Sequence, residues 1–158
     1  VIVAGYGRSG RVAARAIREA GLSLIVVEGS HTLLANVTGA GFRGIWGDIT
    51  RDEILHAAGI ERANLLLLAF PGASAVSQAA EAARRMNPGI TLVARATRES
   101  DVRPLQEAGV NAVIQPEFEG GIELVRQALM HCQCGPGNTA GLLESLRVEL
   151  YGGAGLDS

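Results

Sequence analysis

The chain has 158 residues, a length that suits one domain with one core. Hydrophobic residues make up 47% of it and aromatics only 4%, so the core must be aliphatic, as where helices pack on a parallel sheet. The formal charge is −2 and all 14 basic residues are arginine, which gives no sign of a nucleic-acid surface and excludes a Schiff-base lysine and a Walker-type phosphate lysine.

Strand and helix signals then alternate six times along the chain. Residues 1–4 read as a first strand and 8–20 as a helix, with Val12, Ala13, Ala16 and Ile17 on one face and Gly21 at its end. A second strand covers 24–28, a helix 31–40, and a short third strand 42–46. Thr50 and Glu53 have the spacing of a capping box, which predicts a helix to about residue 58. The fourth strand, 65–70, ends at Pro71-Gly72 and is followed by a helix over 73–86. A fifth strand spans 91–95, and a helix over 100–108 tolerates Pro104 only in its first turn. The sixth strand covers 110–115 and the last long helix 118–132.

Residues 1–132 are thus expected to form one domain, and 133–158 a linker and short C-terminal extension. The linker reading rests on the Gly- and Pro-rich stretch 133–141, after which 139–151 holds one further element of undecided type. The chain opens inside a strand without an initiator Met, so a segment before Val1 is expected. No stretch reaches the roughly 20 apolar residues of a membrane span; the longest run, 63–70, suits a buried strand. His131, Cys132 and Cys134 lack a fourth metal ligand nearby, and a bridge between residues two apart would be strained. Two free thiols at a helix end are the expectation there.

This alternation predicts an α/β fold, a Rossmann-like doubly wound parallel six-stranded sheet in the order 3-2-1-4-5-6 with helices on both faces. The turn Gly5-Tyr6-Gly7-Arg8-Ser9-Gly10 follows an apolar strand directly and opens an amphipathic helix. There Gly5 would allow a tight turn, Gly7 would let phosphate approach the backbone, and Gly10 would let helix and strand pack closely. The helix N-terminus adds free N–H groups and the positive end of a dipole.

Positions outside the glycines belong to this candidate site as well. Glu28 ends the second strand, where a carboxylate accepts from ribose hydroxyls and repels a 2′-phosphate. That favours AMP, ADP, ATP or NAD(H) over NADP(H). Gly47 and Asp48, with Ile49 after them, follow the third strand; Asp48 either accepts from an adenine amino group or simply holds the turn. Arg8 is read as a phosphate clamp. Arg95 either reaches phosphate or pairs with Glu117 or Glu119.

Taken together, these residues resemble the RCK domain, also called the TrkA-N or KTN domain, which regulates potassium and other cation transporters. The marks are the glycine turn, Glu28, Gly47-Asp48 ahead of Ala58-Gly59-Ile60, Ala94-Arg95-Ala96, and Gly109 through Glu117. The turn, with Tyr6 and Arg8 beside its glycines, most resembles the cytosolic domains of cation:proton antiporters of the glutathione-gated potassium-efflux type. The resemblance implies a non-catalytic domain on the cytoplasmic face of the inner membrane, joined to a membrane-embedded cation transporter domain of the same polypeptide. Such a domain forms a homodimer and gates transport by binding AMP, ATP or NAD(H).

Two other readings stand beside it: a fragment of an NAD-dependent oxidoreductase, and a structural dimerisation domain without a ligand. Against the first, His31, His56 and His131 fall on helices or at their ends, away from where a proton donor is needed. The last helix carries Phe118, Ile122, Val125 and Leu129 in one stripe with Leu124 and Ala128 on another side. That surplus of apolar surface predicts a dimer interface on this helix.

Overall fold

A computed structural model describes residues 1–132 and 136–152. Six parallel strands form one sheet: β1 (Ile2–Ala4), β2 (Ile25–Glu28), β3 (Arg43–Trp46), β4 (Leu65–Leu68), β5 (Thr91–Arg95) and β6 (Ala112–Ile114), in the order β3-β2-β1-β4-β5-β6. The expected order and class are those observed. The chain reverses its winding direction between β1 and β4, and this switch point places a crevice outside the carboxyl ends of the two strands.

Alternation along the strands sorts the core into two layers. Val3 and Val26 face α1 (Arg8–Glu19) and α2 (His31–Gly39), where Ala14, Val37 and Tyr6 complete one cluster. Ile2, Ala4, Leu66, Leu68, Leu92 and Ala94 face the other way. They meet α3 (Asp52–Ala57), α4 (Ala73–Met86) and α5 (Val102–Glu107). The alanine-rich face of α4 (Ala79, Ala80 and Ala83, each fully buried) lets that helix lie close on the sheet. Each fully buried Leu or Ile in this layer is worth about 1.5–3 kcal/mol of burial.

Several local expectations are corrected. In α1 the inward stripe is Gly10 and Ala14, both buried, with Ala13 and Ile17 half-buried, whereas Val12 is 71% exposed and Ala16 is exposed. Steps of three and four from Gly10 select that stripe, and Val12 falls outside it. Thr50 does not open α3: Arg51 is its N-cap residue, because the Thr50 N–H and hydroxyl both bond Asp48. The expected helix over 100–108 divides into a 3₁₀ turn, Glu99–Asp101, and α5, which keeps Pro104 in its first turn.

The C-terminal part differs most. Helix α6 (Pro116–His131) starts two residues early, since Pro116 suits a first helical position and the Gln115 carboxamide accepts the Phe118 N–H at 2.7 Å. A further helix, α7 (Pro136–Gly152), occupies most of the stretch read as a linker. It folds back on α6, where Phe118 of the expected stripe meets Tyr151 of the same chain, and Leu143 of α7 is buried. Leu124 and Met130, 73% and 58% exposed, remain outside that contact. The Tyr151 hydroxyl accepts the Gln115 N–H and donates to Glu119, both at 3.1 Å, while its ring meets Phe118 edge-on. Burial pushes the Tyr151 phenol up from its ordinary range. Cys132 is exposed, and Cys134 and 153–158 lie outside the described residues. No group of three metal-ligating side chains occurs among the described residues.

Candidate functional site

The site grows from the turn between β1 and α1. Gly5 has φ +91° and its N–H donates to Val27 O at 2.9 Å. A side chain there would meet Phe70, and one at Gly10 would lie 1.9 Å from Gly5 O. The fold itself therefore requires both glycines. Gly7 is different: its φ is −69° and a Cβ would touch nothing within 4 Å. Packing gives no reason for a glycine at this position, and its missing side chain leaves open space in the crevice.

That crevice has a volume of about 450 Å³ and runs from the turn toward β2 and β3. Gly5 and Gly7 form its floor with Ala4, Glu28, Gly47, Asp48 and Ile49. Phe70, Pro71 and Ala75, after β4, close the opposite side. The N-termini of α1 and α4 carry no side-chain cap, whereas Ser30 caps α2 and Gln115 caps α6. The uncapped first-turn N–H groups of α1 are left for an anion in the crevice.

Glu28 holds the two sides of the turn together. It is 8% exposed; one oxygen accepts the Tyr6 N–H at 2.6 Å and the other the Ser30 N–H at 2.8 Å. Each oxygen keeps a lone pair for a further donor. Tyr6 contributes only backbone, since its ring is buried against Phe42 beneath the turn. Asp48 lines the crevice, but one of its oxygens takes the Thr50 N–H at 2.9 Å and hydroxyl at 2.8 Å. The Thr50 N–H, then its hydroxyl, hold the Asp48 carboxyl below its ordinary range, so it is an anion at neutral pH. The second oxygen has Arg51 Nε at 4.0 Å.

Beyond Asp48 the crevice opens into a cavity of about 430 Å³ at the sheet edge, bounded by Trp46, Arg51 and Glu53. Trp46 stacks on His31 with centroids 4.6 Å apart and donates its indole N–H to Gly29 O at 3.0 Å.

The remaining expected residues divide. Arg8 and Ser9 are exposed in the first turn of α1, and Arg8 has no ion pair among the described residues. Arg95 does not line the crevice. It lines a smaller groove of about 160 Å³ toward β5 and β6, with Ser9, Ala13, Leu67, Val93 and Ile114. The crevice and the groove meet at Ala69. Neither expected acidic partner reaches Arg95: Glu117 accepts from Gln115, and Glu119 is held by Arg147 at 3.0 Å and by Tyr151. Leu33, Phe70, Pro71 and Trp46 were not among the expected site residues. The signal that could have found the residues after β4 is their place at the carboxyl end of the strand across the switch point.

Residues 1–116 match the family model described as the TrkA-N domain. The chain is 30% identical over 129 residues to the glutathione-regulated potassium-efflux system protein KefC of Cronobacter sakazakii; the match covers 82% of this chain and 21% of that protein. The chain thus spans about a fifth of the length of the curated relatives it matches. Among solved structures, the Kef CTD of Shewanella denitrificans in AMP-bound form superposes with a TM-score of 0.81 at 24% identity, covering 99% of this chain and 98% of that one. The GsuK channel bound to NAD superposes with a TM-score of 0.71 at 16% identity, covering 78% of this chain and 22% of that one. At these identities both likenesses are of fold. No helix among the described residues is long and apolar enough to cross a membrane.

Proposed function

The chain belongs to the TrkA-N domain family, and from that premise we propose that it is the regulatory domain of a potassium or other monovalent-cation transporter, of the cation:proton antiporter kind. In this reading it sits at the cytoplasmic face of the inner membrane, joined to the membrane-embedded part of the same polypeptide. Its crevice binds an adenine nucleotide or NAD(H), and occupancy gates transport. Gly7 carries the reading: the turn keeps a glycine where packing does not ask for one, at the uncapped end of α1. The AMP- and NAD-bound states of the two structural neighbours support the ligand class.

In the bound state the phosphate meets the N–H groups at the start of α1, and Arg8 lies in reach of its charge. Glu28 accepts from the ribose hydroxyls with its remaining lone pairs, which disfavours NADP(H). Asp48 offers its second oxygen to the base. The domain does no chemistry of its own. Its histidines are engaged or remote: His31 stacks on Trp46, His56 bonds Glu61 at 2.6 Å, and His131 ends α6. A homodimer using α6, where Leu124 and Met130 stay exposed, gives occupancy a way to shift one subunit against another. Calorimetry with AMP, NADH and NADPH tests the ligand class. Binding of AMP and NADH ahead of NADPH is expected, and tighter NADPH would overturn it. Light scattering that returns a monomer with and without nucleotide would remove the dimer.

A further inference from the structure

The net charge of −2 conceals a division along the chain. Residues 1–46 hold five arginines and two acids, and one of those acids, Glu28, is buried; residues 47–158 hold nine arginines and fourteen acids. Helix α1 carries four of the first five arginines, and α2 has no acid. Arg8, Arg11 and Arg15 recur at steps of three and four, on the face turned away from Gly10 and Ala14, and all three are exposed. Arg8 and Arg11 make no side-chain hydrogen bond or ion pair among the described residues. Arg15 has only Glu19 at 3.4 Å, an exposed pair of little strength. Arg18 is turned aside, to the Ala40 carbonyl at 2.8 Å and the Phe42 ring. Val12 stands among the first three, four residues after Arg8 and three before Arg15, and is itself exposed.

We propose that this face of α1 docks on the anionic lipid headgroups of a membrane. The inference takes from the reading above only that the domain is tethered to a membrane. A cytoplasmic leaflet is negatively charged and attracts basic residues within about 10 Å of it. Such a surface meets Arg8, Arg11 and Arg15 together, because they stand on one convex face, and Val12 among them adds an apolar contact at headgroup level. The division of charge over the whole chain favours an extended surface over a single acidic segment of protein. A charged plane attracts the α1 side and repels the remainder, and so orients the domain; a peptide senses α1 alone. Val1 N lies 2.9 Å from Ser23 O, just past the end of α1, so a segment joined ahead of Val1 leaves beside this helix. The attraction is weak, about fivefold per arginine and on the order of a hundredfold for three. Tethering makes that sufficient, since it holds the domain at a high effective concentration near the surface.

The test is sedimentation of the chain with phosphatidylcholine vesicles, with and without phosphatidylglycerol, at low ionic strength. Arg11→Gln with Arg15→Gln removes two charges from the α1 face. Arg85→Gln with Arg103→Gln removes two from α4 and α5, on the other side of the sheet. All four side chains are exposed, and circular dichroism certifies that both variants are folded. The intact chain should bind the anionic vesicles and not the neutral ones, and should be released as salt is raised. The α1 variant should bind roughly thirtyfold more weakly, and the α4–α5 variant as the intact chain does. Absence of binding to anionic vesicles overturns the proposal. So does an equal loss in both variants, which would make net charge alone responsible. Binding of a glutamate-rich peptide in place of vesicles, lost in the α1 variant, would make this face a protein-docking surface and overturns the proposal as well. Calorimetry with AMP on the same samples reports separately on the nucleotide reading, whose failure leaves vesicle binding untouched.

Discussion

The Glu28 carboxylate accepts the Tyr6 N–H at 2.6 Å and so ties the end of β2 to the glycine turn after β1. Its other oxygen holds Ser30 at the cap of α2. One buried side chain therefore shapes the turn, the neighbouring helix start and the wall of the crevice. Glu28→Ala should lower stability by about 1–3 kcal/mol, because one buried and one half-buried backbone donor lose their acceptor. It should weaken nucleotide binding in the same variant. Chemical denaturation followed by calorimetry separates the two effects; an unchanged denaturation midpoint would show that the tie contributes nothing.

Gly10→Ala tests the packing of α1 on the turn. The added Cβ falls 1.9 Å from Gly5 O, and backbone rather than a flexible side chain must give way. A loss of about 2 kcal/mol or more is expected, in the range of overpacked core sites. A melting temperature within a degree or two of the parent's would mean that α1 moves freely relative to β1.

Asp48→Ala removes the acceptor of both Thr50 donors. Because the folded carboxyl is held below its ordinary value of 3.8, its contribution is present above that value and is lost as the pH falls through the lowered folded one. The stability difference between the parent and Asp48→Ala should therefore shrink on acidification from neutral pH toward about pH 3. Denaturation curves at several pH values give the difference directly. A gap that widens in acid would contradict the assignment.

Tyr151→Phe keeps the edge contact with Phe118 and removes the hydroxyl shared by Gln115 and Glu119. The loss should be about 1 kcal/mol, and it should show as faster amide exchange in α7 while the sheet stays protected. Exchange that rises equally in the sheet would mean that α7 and the sheet open as one unit.

Much of this was legible beforehand because the signals are local. Apolar runs such as 65–68, bounded by Pro71 and Gly72, fix a strand and its end; the alternation of such runs with helices gives the parallel class, and the glycine turn after the first strand then selects the order. Gly7 and Glu28 were legible for the same reason, since each stands at a set distance from a strand. What escaped depends on contacts across the fold. Whether Thr50 caps α3 or bonds Asp48 is a contest between two neighbours that spacing alone does not decide. Val12 is exposed because the packing angle of α1 selects the stripe through Ala14. The element expected over 139–151 stayed without a type, and the start of α7 at Pro136 was missed, because its opening residues are poor helix formers and it is held from its far end by Tyr151 and Arg147. Arg95 lies on the expected edge of the sheet, yet only the structure shows that it lines a different groove from the crevice.

The central claim is that the space above Gly7 holds the phosphate of a nucleotide. Titration of AMP into the parent chain and into Gly7→Val, with circular dichroism on both, tests it most directly. The added side chain enters open space at φ −69°, so the fold should be retained. The account predicts saturable binding by the parent, none by Gly7→Val, and superimposable spectra. Equal AMP binding by the two proteins would contradict it.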